Sequence, residues 1–522
     1  MLNIRLSDRL VNANPQILAV PVGAVPRPTL QSVGGVVHAD LRTQLDAFLA
    51  DADHSGKAGT IATLPRPLAT PRRVLLVGIG DGDEHGWRAA GAALARAAAT
   101  DDELTVILPE SAGPGAARGL AEGLWLASYT FNLTQRRTGS VVVGEAEAPV
   151  RVNAPGRRAA EIIVDPDPEQ SLQKVTVLVA DADDPDRDYA AALAESYSVA
   201  TVTRFARDLT NMPSEEKTPA WFADQVTKVA AGKAGLDVRV WAGAELADAG
   251  FGGVVAVGGG STRAPRLVQL SWQPADADES TRHVVLIGKG ITFDTGGICI
   301  KPRDGMKLMR KDMGGAAAII AATFGAAELN LRVRITALAP LAENMASGSA
   351  WRPGDVVHHY GGRTSECLNT DAEGRVVLAD ALAYAAAELR PDVLVDLATL
   401  TGANAVALGK RTAALYSENA DLAAALTNAA ADAGERAWQM PLVDDYVRDI
   451  SSEIADVANS SSAGAGSIAA ALFLREFTGD ARANWAHIDM SAPSWADSAD
   501  GELAKGATGW GVRTLLRWLG DV

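Results

Sequence analysis

The chain has 522 residues, about two or three times the usual domain, so it should hold at least two domains and bury a substantial core without covalent staples. Its 64 acidic against 48 basic side chains give a formal net charge of −16, a field that repels a polyphosphate backbone and argues against nucleic acid as a partner. Only two cysteines occur, Cys299 and Cys367, which excludes a disulfide framework and points to buried thiols in a reducing compartment.

The opening "MLNIRLSDRLVNANPQ" lacks the positive segment, apolar run and cleavage site of a signal peptide, and no window approaches 18 uninterrupted apolar residues. The expectation is a cytoplasmic protein with no membrane partner. Residues 1 to about 140 alternate short apolar runs ("ILAVPVG", "RVLLVGIG", "LTVILPE") with helical patterns, including an alanine-rich stretch around 88–99, which indicates an α/β layer domain. "VGIGDGD" carries Gly78, Gly80 and Gly82 but not the full dinucleotide-binding fingerprint, and reads as a plain strand-to-helix turn. With aromatics at 5% and alanine abundant, the helices should pack closely through small residues.

From about 143 to 172 the chain turns polar and proline-bearing, as a linker or irregular excursion does. "VTVLVA" and an acidic loop, "DADDPDRD", follow, and the helix "YAAALAESYSVATVTRFARDLTN" leads into a second domain. That domain offers strands at "DVRVWA", "LVQLSW", "HVVLIGKG", "RVRITALAP" and "DVLVDLATLTG", separated by apolar helices that include 313–328, 376–389 and 464–477. Apolar runs without strict alternation suit a sheet covered on both faces. In such sheets ligands bind beyond the carboxyl ends of the strands, so polar clusters just after strands matter most.

Three clusters lie there. In "GKGITFDTGGICIKP", Lys289 and Asp294 follow the strand at 283–288, and Lys301 comes seven residues after the aspartate. In "MKLMRKDMGGAAA", Asp312 opens an apolar helix. In "NTDAEGRVVLADAL", Asp371 and Glu373 precede Arg375, and the one-residue gap directs both carboxylates to one side of an extended segment. Singly, each cluster has a plain reading. Asp312 could cap its helix, Asp371 and Arg375 could form an ion pair, and Lys289 could be a solvated loop lysine. Together, four carboxylates at the strand ends of one sheet would repel each other strongly without cations, which suggests divalent metal. Carboxylates without cysteine or clustered histidine favour oxygen-loving ions or a hydrolytic zinc pair.

These segments, with "PLAENMASGSAWRPGDVV" and "DLATLTGA", resemble in order and spacing the signatures of the leucyl aminopeptidases, the cytosolic di-metal family that includes bacterial aminopeptidase A. The likeness runs through 200–522: "ARDLTNMPSEEKTPAWFA" resembles the family's lead-in, and "AGAGSIAAALFLREF", "WAHIDMSAPSW" and "GATGWGVRTLLRWL" its closing segments. It is weak over the first 165 residues. Two departures are Glu215, where a second asparagine is usual, and Pro493 with a second serine, where glycine is usual.

The resemblance implies two α/β domains, each a mostly parallel or mixed sheet covered by helices: a variable amino-terminal domain over 1–165, a linker and connecting-helix start over 166–195, and a catalytic domain over 196–522. It implies two divalent ions per subunit (Zn²⁺ and/or Mn²⁺), held by Lys289, Asp294, Asp312, Asp371 and Glu373, with Asp294 and Glu373 bridging. As a ligand Lys289 must be neutral, which demands a pKa several units below about 10.4. Lys301 would hold the scissile carbonyl oxygen, and Arg375 would hold a bicarbonate that serves as base to the metal-bridging water. Met309, Thr399, Leu400 and Gly402 match positions lining the pocket for the first side chain, here one suited to leucine. The implied activity is removal of amino-terminal residues from peptides during intracellular turnover, by a homohexamer. The competing readings are a DNA-binding accessory protein, a catalytically dead scaffold and a narrow dipeptidase acting on a cysteinylglycine-type substrate.

Overall fold

The computed structural model describes residues 1–8, 15–24, 29–30, 37–133, 172–180, 187–461 and 464–522. The proline-bearing excursion through 171 and most of the acidic loop after it lie outside the described residues. The chain divides into two compact units, Met1–Thr201 with Asp497–Lys505, and Val202–Ala496 with Gly506–Val522. Both are α/β.

The first unit is built on a seven-stranded sheet in the order Asn3–Ser7, Lys174–Leu178, Glu103–Ile107, Ile17–Gly23, Arg73–Gly80 and Ile61–Pro65, with Thr29–Leu30 paired to Ile17–Gly23. The first five strands run parallel and Ile61–Pro65 closes the edge antiparallel. Every residue of Ile17–Gly23 is buried, which explains why its sequence is apolar without alternation. The "VGIGDGD" turn is plain: Asp83 caps the helix Glu84–Ala97 by accepting the Gly86 N–H at 2.7 Å. That helix packs against Pro114–Ala127 with almost no gap, since a Cβ added at Gly123 would meet the Arg88 carbonyl oxygen at 2.0 Å.

The second unit carries a nine-stranded mixed sheet: Ala437–Gln439, Ala413–Tyr416, Trp485–Asp489, Val393–Ala398, His283–Gly288, Arg334–Asn344, Arg266–Trp272 and Leu236–Ala242, with Gly290–Asp294 added along Arg334–Asn344. The four central strands, from Trp485–Asp489 to Arg334–Asn344, are parallel. The five strands expected in this domain are present, whereas Ala413–Tyr416 and Trp485–Asp489 were not anticipated. The helix Gly314–Glu328 is buried from Gly314 through Ala326, and Glu373–Tyr384 from Glu373 through Leu382. A helix apolar on all sides belongs inside a core. Among the described residues no helix is long and apolar enough to cross a membrane.

Candidate metal centre

Strand register gathers the polar clusters at one end of the central sheet. Gly288 pairs with Leu397, and Ala398 with Asp489, so Lys289, Thr399 and Asp489 leave the sheet side by side at its carboxyl edge. The Lys289 N–H donates to the Leu397 carbonyl at 3.0 Å, and its carbonyl accepts from Ala316 N–H at 2.9 Å, locking its backbone between strand and helix. Asp294 ends its strand opposite Asn344.

Local geometry corrects several readings. Asp312 does not cap the helix Gly314–Glu328, whose N-cap residue is Met313 without a side-chain bond. Its Oδ1 instead accepts from Lys289 Nζ at 2.9 Å and Thr399 Oγ1 at 2.7 Å. Asp371 and Glu373 are not on an extended segment: Asp371 lies in a turn, and Glu373 is the first residue of the helix Glu373–Tyr384. The turn, rather than strand alternation, brings their carboxylates together, and ligand oxygens of Asp294, Asp371 and Glu373 lie within 4.8 Å of one another. Nor is Lys289 a solvated loop lysine, being 3% exposed.

Two ammonium groups are set among these acids. Lys289 Nζ lies 2.8 Å from Asp312 Oδ2 and 2.8 Å from Glu373 Oε1, and donates to the Thr399 carbonyl at 3.0 Å. Lys301 Nζ lies 2.7 Å from Asp294 Oδ2 and also contacts Asp371 Oδ1. Three of the acid oxygens, Asp294 Oδ2, Asp312 Oδ2 and Asp371 Oδ1, thus meet an ammonium, while among the described residues the buried Glu373 Oε2 has no hydrogen-bond partner. A buried carboxylate oxygen left so is costly unless a cation meets it. The donor set, hard oxygens with one amine, fits divalent metal.

Electrostatics tell the same story of crowding. Burial, then the charges of Glu373 and Asp312, push the Asp294 carboxyl up to about 8. Burial raises Asp312 to about 6 despite Lys289, and raises Asp371. Burial acts the same way on Glu373, but the two lysines outweigh it and its pKa falls. Burial disfavours the charged forms of Lys289 and Lys301, yet the surrounding carboxylates prevail and hold both above the ordinary lysine range. Among protein groups alone Lys289 therefore carries its proton.

Arg375 is buried, and among the described residues it forms no ion pair with Asp371, whose partner is Lys301. Among the described residues its Nε has no hydrogen-bond partner. Burial lowers its pKa to about 10, with Glu373 and Asp489 opposing. Met309 opens the short turn Met309–Lys311 that delivers Asp312, and Thr399, Leu400 and Gly402 form the loop leaving the cluster, from buried Thr399 to exposed Gly402.

The catalytic-domain model of the cytosol aminopeptidase family matches residues 204–516, and that family's N-terminal domain model matches 21–138. The chain belongs to the cytosol aminopeptidase family. Probable cytosol aminopeptidases of Roseiflexus castenholzii and Mycobacterium tuberculosis (strain ATCC 25618 / H37Rv) are each 39% identical to it, over 92% and 97% of this chain and 94% of each relative. The bottromycin maturation enzyme BotP in complex with Mn superposes with a TM-score of 0.79 at 34% identity, covering 97% of this chain and 99% of that one. A tomato leucine aminopeptidase mutant gives 0.81 at 28% identity, over 100% of this chain and 97% of that one. This chain is thus a metal-dependent aminopeptidase.

Sequence reasoning missed three supporting residues of this aminopeptidase. Asn344 Nδ2 donates to Asp294 Oδ1 at 2.8 Å and to the Thr370 carbonyl at 2.9 Å, tying one acid's strand to the turn that carries another. Lys217, fully buried, donates to the Thr210 carbonyl and, at 2.5 Å, to the Arg310 carbonyl just before Asp312. Asp489 receives the loop that follows Thr399. Asn344 lay inside the quoted "PLAENMASGSAW" and Asp489 inside "WAHIDMSAPSW", but one polar residue at a strand end gives no sign of its partners.

Proposed function

We propose that this aminopeptidase removes amino-terminal residues from peptides, favouring leucine and similar apolar residues, with two divalent ions, Zn²⁺ or Mn²⁺, held by Lys289, Asp294, Asp312, Asp371 and Glu373. The observation that carries the reading is the convergence of Asp294, Asp371 and Glu373, with ligand oxygens within 4.8 Å of one another, beside Asp312 and Lys289 in a buried cluster where Glu373 Oε2 has no partner among the described residues. Bound there, the ions would supply a Lewis acid and lower the pKa of a water near the scissile carbonyl.

The chain's own groups do the rest. Lys301, which its neighbours keep protonated, lies beside the cluster and is only partly exposed, as suits an ammonium that holds the developing oxyanion. Arg375 offers a buried guanidinium with an unused N–H, fit to hold a small anion such as bicarbonate that accepts the water's proton. Lys289 must give up its proton to act as a ligand, and a divalent charge would reverse the balance that now favours its ammonium form. Met309, Thr399, Leu400 and Gly402 line the pocket for the first side chain. A homohexamer working in cytoplasmic peptide turnover completes the reading.

The test is hydrolysis of leucine p-nitroanilide beside a panel of other aminoacyl p-nitroanilides, before and after exhaustive chelation. Activity should vanish on chelation and return with Mn²⁺ or Zn²⁺, highest on leucine. Undiminished activity after chelation would refute the metal assignment, and a preference for charged residues would refute the pocket.

A further inference from the structure

Resting on the reading that Thr399–Gly402 borders the pocket for the first side chain, we propose that Asp489 is the positioning residue that fixes that loop and thereby sets the enzyme's selectivity for the first residue.

Asp489 ends the strand Trp485–Asp489 and is 1% exposed, yet among the described residues it forms no ion pair. Its charge is met by five donors instead. Oδ1 accepts from the N–H groups of Leu400 at 3.1 Å and Ser491 at 3.0 Å, and Oδ2 accepts from Thr401 N–H at 2.9 Å, Thr401 Oγ1 at 2.7 Å and Asn404 Nδ2 at 2.6 Å. Four of the five come from 400–404. A buried carboxylate surrounded this way is strongly held, and so are the groups that surround it.

The far side of the same loop begins at the metal cluster, where Thr399 donates its hydroxyl to Asp312 and its carbonyl accepts from Lys289. Ser491, the residue two after Asp489, donates its hydroxyl to the Thr401 carbonyl at 2.6 Å and accepts from Lys311 Nζ at its own carbonyl at 3.0 Å. Asp489 thus anchors the loop between the acids and the turn Met309–Lys311, on both flanks of the pocket. Among the described residues it hydrogen-bonds to no proposed ligand, so its removal should spare the metals while loosening the wall that a side chain meets.

The experiment measures kcat and KM for leucine and alanine p-nitroanilides with wild type, Asp489→Asn and Thr401→Val, together with metal content and circular dichroism. In Asp489→Asn an amide N–H₂ faces donors, so the loop should shift. The leucine-over-alanine ratio of kcat/KM should fall about fivefold or more, mostly through KM, with metal content unchanged. Thr401→Val, which removes one of the five donors and keeps the backbone N–H, should move the ratio the same way by a smaller factor, and it decides the matter if Asp489→Asn does not fold. A folded variant that keeps the wild-type ratio within about twofold, or loses both substrates equally, would overturn the inference. A wild type inactive on both substrates would instead sink the underlying reading, and the inference with it.

Discussion

Lys289 and Glu373 meet head to head: the lysine Nζ lies 2.8 Å from Glu373 Oε1, and the lysine's stem reaches that position by lying flat over Gly374. A Cβ added at Gly374 would stand 2.5 Å from Lys289 Cε, so the glycine is what lets a lysine from one strand end reach an acid at the start of a helix. Gly374→Ala should therefore displace the lysine head rather than unfold the helix, for which alanine is the better former. Leucine p-nitroanilide turnover and metal content should both fall while far-ultraviolet circular dichroism stays as in wild type. Wild-type values of both would show that Gly374 is not what holds the Lys289 head in place.

Lys301→Ala should keep the metals and lose turnover by roughly 10²-fold or more, as loss of an oxyanion-stabilising charge does. Elemental analysis and steady-state kinetics on the same preparation separate the two effects. Near-normal kcat with retained metal would remove the role assigned to that lysine.

The sheet in the second unit was legible because its strands are buried on both faces and so read as continuous apolar runs, "HVVLIG" and "VLVDLA" among them. The acids were legible by type and place, Asp294 at the carboxyl end of a buried strand and Asp312, Asp371 and Glu373 at the mouths of buried apolar helices, where charge is rare enough to notice. What could not be read was how they meet. Asp371 and Glu373 converge through a turn and a helix start, and Asp312 turns from its own helix towards Lys289 and Thr399, because hydrogen bonds between distant segments outweigh the local preferences that spacing reports. Asp489 and Asn344 escaped notice for the same reason: their partners, at 400–404 and at Asp294 and Thr370, are far away in sequence.

Asn344→Ala removes the amide that holds both Asp294 and the Thr370 carbonyl. Metal affinity should drop by about 10- to 100-fold, as it does when a partner orienting a metal ligand is lost. Competitive titration against a chromogenic chelator measures this, and an unchanged affinity would mean that the strand and the Gly296 N–H, which also donates to Asp294 Oδ1, orient that acid without Asn344.

A pH effect is expected at His487, on the strand that ends at Asp489. His487 Nδ1 lies 2.6 Å from Asp396 Oδ1 in the core. Burial favours the neutral ring, but the Asp396 charge and hydrogen bond outweigh it and raise the pKa above 6.5. A raised histidine pKa contributes stability that is complete below the unfolded value and is lost as pH rises through the folded one. Urea unfolding of wild type and His487→Gln should differ more at pH 6 than at pH 9. A gap that widens with pH would reverse the assignment.

The central claim, that these acids hold divalent metal for the reaction, is tested most directly by elemental analysis of purified wild type and Asp371→Ala, with leucine p-nitroanilide turnover measured on the same samples. About two Zn²⁺ or Mn²⁺ ions per wild-type chain are predicted, falling together with turnover in the variant. An active wild type free of divalent metal, or a variant that keeps both its metal and its activity, would contradict the account.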